Sequence, residues 1–256
     1  MDFTYKWYRE LIKKIQKNGY CITDYHDYRN YKKTVILRHD VDNDLEKAEQ
    51  LARIEYESDV KSTYFVLLTS DFYNPMSKKS IKSLKKILKY GHEIGLHFDE
   101  VQYDLSEENW DENYICECIK HEAKVLSDIM DDEVLTVSMH RPSKKTLSSD
   151  LLIPGMINSY GTEFFRNFKY VSDSRMNWRE NVEKIVDSNQ YERIHILTHA
   201  FWYFENEKDI NTILKEYVLR AKYDRYEALK NDITDLYSVL KFEDVEWKRK
   251  SKLKKY

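Results

Sequence analysis

Seven short apolar runs, set apart by longer segments of helical character, constrain this chain more than any other feature. They are residues 34–37 (TVIL), 62–68 (STYFVLL), 92–96 (HEIGL), 134–139 (VLTVSM), 155–159 (GMINS), 169–172 (KYVS) and 193–197 (RIHIL). Residues 44–56, 78–89, 106–130 and 181–188 lie between them with helix-like patterning; residues 3–16 precede the first run and residues 207–240 follow the last. A strand pairs in parallel with its predecessor only through a crossover of a dozen or more residues, usually a helix. Seven β-then-α units therefore predict an α/β fold, a (β/α)7-type distorted TIM barrel one unit short of the eight-stranded form. A doubly wound open sheet is the competing architecture, but no G-x-G-x-x-G follows the first run, so its dinucleotide-binding version has no support.

With 5 Gly and 3 Pro in 256 residues, no linker divides the chain, which predicts a single domain over 1–256. The basic stretch from Lys248 to Lys255 reads as a frayed, solvated tail within 248–256. The balance of 42 Lys+Arg against 45 Asp+Glu gives a net charge of −3, which argues against nucleic acid as a partner. No apolar run reaches the ~18–20 residues that span a bilayer. Residues Met1 to Trp7 lack the basic and apolar regions of a signal peptide. Three cysteines, Cys21, Cys116 and Cys118, cannot build a disulfide framework and suit a reducing compartment. Together these features predict a soluble cytoplasmic protein. Cys116 and Cys118 stand two apart on a predicted helix and face different directions, so they are not read as a metal pair.

Chemistry collects at strand ends. Four runs finish in histidine: VILRHDVD (His39, Asp40, Asp42), EIGLH (His97), LTVSMH (His140) and HILTH (His199). In parallel α/β architectures catalytic groups sit at the C-terminal ends of strands, so these endings would meet at one mouth. A single strand-end histidine is more often structural; four with an aspartate pair point to a site. Asp40 and Asp42 are two apart, so in an extended strand both carboxylates face the same side. Their repulsion would raise one pKa unless a cation holds both ionised. Carboxylate and imidazole together suit zinc, iron, cobalt or manganese. Three protein ligands leave positions open for water and substrate, as a hydrolase requires.

On these residues the chain resembles the polysaccharide deacetylase (NodB-like, carbohydrate esterase family 4) superfamily, and within it the R-H-D-V-D branch associated with surface-glycan biosynthesis. The resemblance rests on Leu37 to Asp42, Ser62 to Phe65, Gly91 to His97, Met139 to Pro142, Val171 to Ser174 and Leu197 to His199, in the family's order. It implies a NodB-like barrel that uses one divalent metal, zinc first and iron, cobalt, manganese or nickel as alternatives, to remove an N-acyl group from an amino sugar or glycan precursor. By position, Asp40 would be the general base, Asp42 a metal ligand and His97 the first histidine of the family's His-x-x-x-His pair. Val101 occupies the second histidine's place, and His140 is taken as the replacement third ligand from its strand-end position. Arg141 resembles the family's arginine that pairs with the catalytic aspartate. Asp173 resembles a carboxylate that orients Arg141 or a histidine. His199 corresponds to the general acid that protonates the leaving amine, and its ordinary pKa of ~6.5 suits that task.

Trp202 and Tyr203, just past His199, are candidates for stacking on a sugar ring, against the plainer reading of a hydrophobic cluster capping the barrel end. Trp178 carries the same two readings. His39 is expected behind the site rather than in it, His92 in a structural hydrogen bond, and His26, His121 and His195 in no catalytic role. The segment 207–240 reads as a long surface helix packed on the barrel or on another subunit, which leaves a homo-oligomer open. Two other functions compete: a non-catalytic glycan-binding descendant, for which Val101 is the best evidence, and a metal phosphoesterase, which would need more His and Asp ligands.

Overall fold

In the computed structural model, residues 1–103, 105 and 109–245 are described. They divide into two compact units, Met1–Glu207 and Lys208–Tyr256. The basic tail expected at 248–256 lies outside the described residues, as do residues 106–108 of the helix expected over 106–130.

The first unit begins with α1 (Tyr5–Lys17), where Tyr8, Leu11, Ile12 and Ile15 recur at helical spacing and are buried; the Thr4 hydroxyl caps it by accepting from the Trp7 amide. The chain then alternates as β1 (Cys21–Thr23), β2 (Thr34–Val41), α2 (Leu45–Glu57), β3 (Thr63–Val66), α3 (Lys78–Lys89) and β4 (Glu93–Phe98). It continues through α4 (Glu112–Met130), β5 (Thr136–Met139), α5 (Lys144–Ser149), β6 (Ile157–Asn158), α6 (Thr162–Arg166), β7 (Lys169–Ser172), α7 (Val182–Ser188) and β8 (Arg193–Thr198). All seven expected strands are present. The additional β1 is three residues long and half-buried, too short to stand out as a periodic apolar run.

Every ladder is parallel, in the order β6-β5-β4-β3-β2-β8-β7, with β1 pairing the first half of β2. Among the described residues no ladder joins β6 to β7, so the sheet is a half-barrel wrapped by helices, a distorted (β/α)7 arrangement open at that seam. β2 is buried at all eight positions because it pairs with β3 and β8 and is covered on both faces.

Strand alternation sorts the side chains. Val35, Leu37 and Val41 join the layer that packs under the helices, with Tyr64, Leu96, Val137 and Ile196. Ile36 faces the barrel interior with Tyr25, Phe65, Phe164 and Phe168. Arg38 and Asp40 share that inward face by the period of two. Gly95 is required there: a Cβ at this position would lie 2.6 Å from Phe65 ring carbons and 2.7 Å from the Thr136 hydroxyl.

In the second unit, α8 (Ile210–Asp232) and α9 (Leu236–Val239) replace the single helix expected over 207–240. The break falls at Ile233 to Asp235, where two β-branched residues precede an aspartate in the left-handed conformation (φ 57°). Tyr226 closes this unit locally, its hydroxyl donating to the Leu240 carbonyl at 2.8 Å and its ring meeting Phe242. Among the described residues no helix is long and apolar enough to cross a membrane.

Candidate active site

Inward positions at the C-terminal ends of β2, β4, β5 and β8 bring the expected residues to one mouth. Asp42 follows β2, His97 sits on β4, His140 directly follows β5 and His199 follows β8. His97 Nε2 lies 3.1 Å from Asp42 Oδ1, and His140 Nδ1 lies 3.2 Å from the same oxygen and 3.1 Å from His97 Nε2. The three atoms form a nearly equilateral triangle. Ligand atoms around a tetrahedral zinc with bonds of ~2.0–2.1 Å stand about 3.3 Å apart, close to this spacing. Asp42 Oδ1 is buried and accepts no well-formed hydrogen bond, although both ring nitrogens are near it. The three ligand atoms lie close enough together to share one ion, and the donor set, one carboxylate and two imidazoles, fits a divalent ion. Val101, where the resemblance would put another histidine, is exposed on a 3₁₀ turn beyond β4.

Asp40 lies one strand step deeper. Arg38 grips it with both forks, Nε to Oδ1 at 2.9 Å and an Nη to Oδ2 at 2.8 Å, on an arginine with no solvent exposure. Burial by itself would raise the Asp40 carboxyl; the Arg38 charge, aided by His97, leaves it below its ordinary value. The same guanidinium donates to Ser138 and, at 3.2 Å, to Ser159, and it stacks over the Tyr160 ring at 4.7 Å. Ser138 Oγ also lies 3.1 Å from His97 Nδ1 and donates to Asp40 Oδ1 at 3.4 Å. This hydroxyl directs the other nitrogen of His97, Nε2, toward Asp42.

The sequence expectation that Arg141 pairs with Asp40 is corrected here. Arg141 extends from the loop past β5, is 57% exposed, and pairs with Asp99. Arg38 takes the place beside Asp40 because two residues apart on one strand is the shortest route to a shared face. The charged residue inside the apolar run VILRHDV is the signal the sequence carries for this pairing.

Asp173, fully buried after β7, orients a histidine and not an arginine. Its Oδ1 lies 2.7 Å from His199 Nδ1, and both carboxylate oxygens lie 3.1 Å from the His199 amide nitrogen. His199 Nε2 is thereby left facing the mouth, 3.9 Å from Asp42 Oδ2. Burial alone would lower the imidazole; the Asp173 hydrogen bond and charge, with Asp42 and Asp40, raise it to about 9. Asp42 is held well below the carboxylate range against its own burial by His140, His97 and His199.

The two aromatic candidates separate. Trp202 is half-buried, with its ring edge against Phe201 and its indole N–H without a partner among the described residues. Tyr203, expected to meet sugar, is completely buried: its ring packs on Phe3, Trp7 and Tyr8, and its hydroxyl donates to Asp173 at 3.1 Å. Trp202 ends a 3₁₀ turn (Ala200–Trp202) and Tyr203 leaves it in extended conformation, its ring against α1. Trp178 is likewise packed on Trp7.

Behind β2, on the helix side, lies a network that the sequence reading missed. Glu55 of α2 has no solvent exposure and accepts from Tyr8 (2.5 Å), Ser62 (2.5 Å) and Tyr64 (2.6 Å), with His39 Nε2 at 2.8 Å. The opposite ring nitrogen of His39 meets the Thr198 hydroxyl at 2.6 Å, tying β2 to β8 beside His199. His92 completes the set, with Nδ1 at 3.1 Å from Ser62 Oγ and Nε2 at 2.8 Å from the Ala52 carbonyl. Glu55 sits on the apolar stripe Leu45, Ala48, Leu51, Ala52, and an acid at that spacing was the signal available.

No family model matches the chain, and no curated protein matches it. Among solved structures it is similar to the deacetylase PplD of Streptococcus pyogenes (TM-score 0.44, 13% identity, covering 76% of this chain and 80% of that one). It is also similar to the polysaccharide deacetylase Bc1974 of Bacillus cereus (TM-score 0.45, 17% identity, 66% and 79% covered). A third likeness is to BA3943 of Bacillus anthracis, described as a carbohydrate esterase family 4 pseudoenzyme (TM-score 0.42, 14% identity, 74% and 62% covered).

Proposed function

We propose that this chain is a metal-dependent hydrolase that removes an N-acyl group, acetyl in the simplest case, from an amino sugar or glycan precursor. One observation carries the reading: the triangle of Asp42, His97 and His140 lies beside an arginine-clamped carboxylate, Asp40, and a carboxylate-oriented imidazole, His199. A divalent ion held by the triangle, zinc by its donor set, would supply Lewis acidity toward the acyl carbonyl and the attacking water.

The chain's own residues supply the proton transfers. Asp40, kept ionised by Arg38, takes a proton as water adds to the carbonyl carbon. His199, charged at neutral pH through Asp173, gives its Nε2 proton to the departing amine. The C–N bond breaks, and the products are a carboxylate and the free amino sugar. Trp202, three residues past His199 and half-buried, is the ring we assign to the apolar side of the sugar. Among the described residues the histidine and carboxylate cluster holds three ligands, short of the set a two-metal phosphoesterase would need.

Acetate release from UDP-N-acetylglucosamine and N-acetylglucosamine by zinc-loaded protein tests the proposal. Activity should fall ~10²–10⁴-fold in Asp40→Asn and in His199→Ala. Absence of acetate from every N-acetyl sugar, with metal bound, would overturn it.

A further inference from the structure

Among the described residues, seven other than glycine adopt positive φ. Five are aspartate or asparagine (Asp59, Asp131, Asp150, Asn189 and Asp235), the types whose short polar side chains tolerate this conformation. The remaining two are consecutive, Arg175 (φ 60°) and Met176 (φ 55°). They form the tip of a tight turn that starts at Asp173, the residue that orients His199, and closes with the Asn177 amide donating to the Asp173 carbonyl at 3.1 Å. The hydroxyls of Ser172 and Ser174, 2.7 Å apart, pin its first half. Left-handed backbone brings the Cβ of an ordinary side chain too close to the following carbonyl oxygen and is unfavourable. Such strain gathers where a chain presents groups to a ligand.

Arg175 is exposed, and its guanidinium has no ion pair or hydrogen bond among the described residues. Arg141, also at this end of the barrel, is engaged by Asp99. A strained turn two residues past the His199 orienter thus holds out an uncommitted guanidinium, whose planar fork matches phosphate or carboxylate oxygens.

We infer that Arg175 is a specificity-determining residue and that the substrate is an acylamino sugar bearing an oxyanion, phosphate or carboxylate, near the acyl group. This rests on the hydrolase reading above and names its substrate class.

The test compares N-acetylglucosamine 1-phosphate, N-acetylmuramic acid and neutral N-acetylglucosamine, by calorimetric binding to the metal-loaded protein and by acetate release. The anionic sugars should bind at least tenfold more tightly than the neutral one, and the phosphate and carboxylate arms decide between the two oxyanions. Arg175→Asn, which accepts the left-handed backbone, should lose roughly 10- to 100-fold affinity for the preferred anion. It should leave the neutral sugar unchanged and melt no lower than the parent. Arg175→Lys should keep part of the preference, and added salt should erode it. Equal binding of charged and neutral sugars, or a preference that survives in Arg175→Asn, overturns the inference. Binding that depends on Arg175 without acetate release from any sugar overturns the hydrolase reading instead.

Discussion

Replacing Glu55 by glutamine probes the buried network behind β2 with the least change of shape. Its carboxylate accepts from Tyr8, Ser62 and Tyr64 and faces His39 Nε2 at 2.8 Å, with no solvent to compensate a lost partner. Burial alone would raise this carboxyl, yet His39, His92 and the hydroxyl of Ser62 hold it at about 2 against an ordinary 4.5. That preference for the ionised form corresponds to about 3 kcal/mol. Leaving the buried donors that face this carboxylate without an acceptor costs about 1–3 kcal/mol for each group by a separate route. The amide also points an N–H₂ at hydroxyls that now donate. Glu55→Gln should therefore lose about 3–5 kcal/mol at pH 7, read from the urea midpoint at unchanged m-value.

The sign of the pH dependence follows from the depressed pKa. The Glu55 contribution is complete above pH 4.5 and fades as pH falls toward 2, because the unfolded chain takes up the proton first. The gap between parent and variant should accordingly narrow over that window, wherever both remain folded. A loss below about 1 kcal/mol at pH 7, or a gap that does not change with pH, would refute the reasoning.

Other outcomes follow from single sites. Glu122 is buried with one carboxylate oxygen unpartnered among the described residues, and burial raises its carboxyl to about 7 despite the Tyr103 hydroxyl that donates to it. An acid raised in the folded state weakens the fold as pH climbs from 4.5 to 7, so Glu122→Gln should be more stable than the parent at pH 8 by about 3 kcal/mol and equal at pH 4.5, in thermal or urea melts. Gly95→Ala forces a methyl into the Phe65 ring and should cost about 1–3 kcal/mol in the same melts. Arg38→Met removes both forks from Asp40 and should cut kcat for acetate release strongly, while Arg141→Met, which loses only Asp99, should not approach that loss.

The strands were legible because each carries its own pattern: an apolar run needs only local sequence to be seen, and all seven of those runs are strands. β1 escaped at three residues. Strand parity was enough to put Asp40 and Asp42 on one side, and the strand endings brought His97, His140 and His199 to the same mouth. Which groups meet across the barrel is a different kind of information. Strand parity also puts Arg38 on the face of Asp40, but only the folded chain shows that Arg38 grips that carboxylate while Arg141 turns away to Asp99. Tyr203 follows Trp202 by one residue, yet its hydroxyl reaches Asp173 from the core. Glu55 converges with Tyr8, His39, Ser62 and Tyr64 from three other segments, a meeting no local pattern encodes.

The claim on which the chemistry depends is that Asp42, His97 and His140 hold one ion together. Equilibrium dialysis against zinc, with metal counted per chain, addresses it directly. The parent should bind one ion per chain, and His140→Ala should lose that binding while retaining its fold. Zinc that fails to bind the parent, or that binds His140→Ala as tightly, would contradict it.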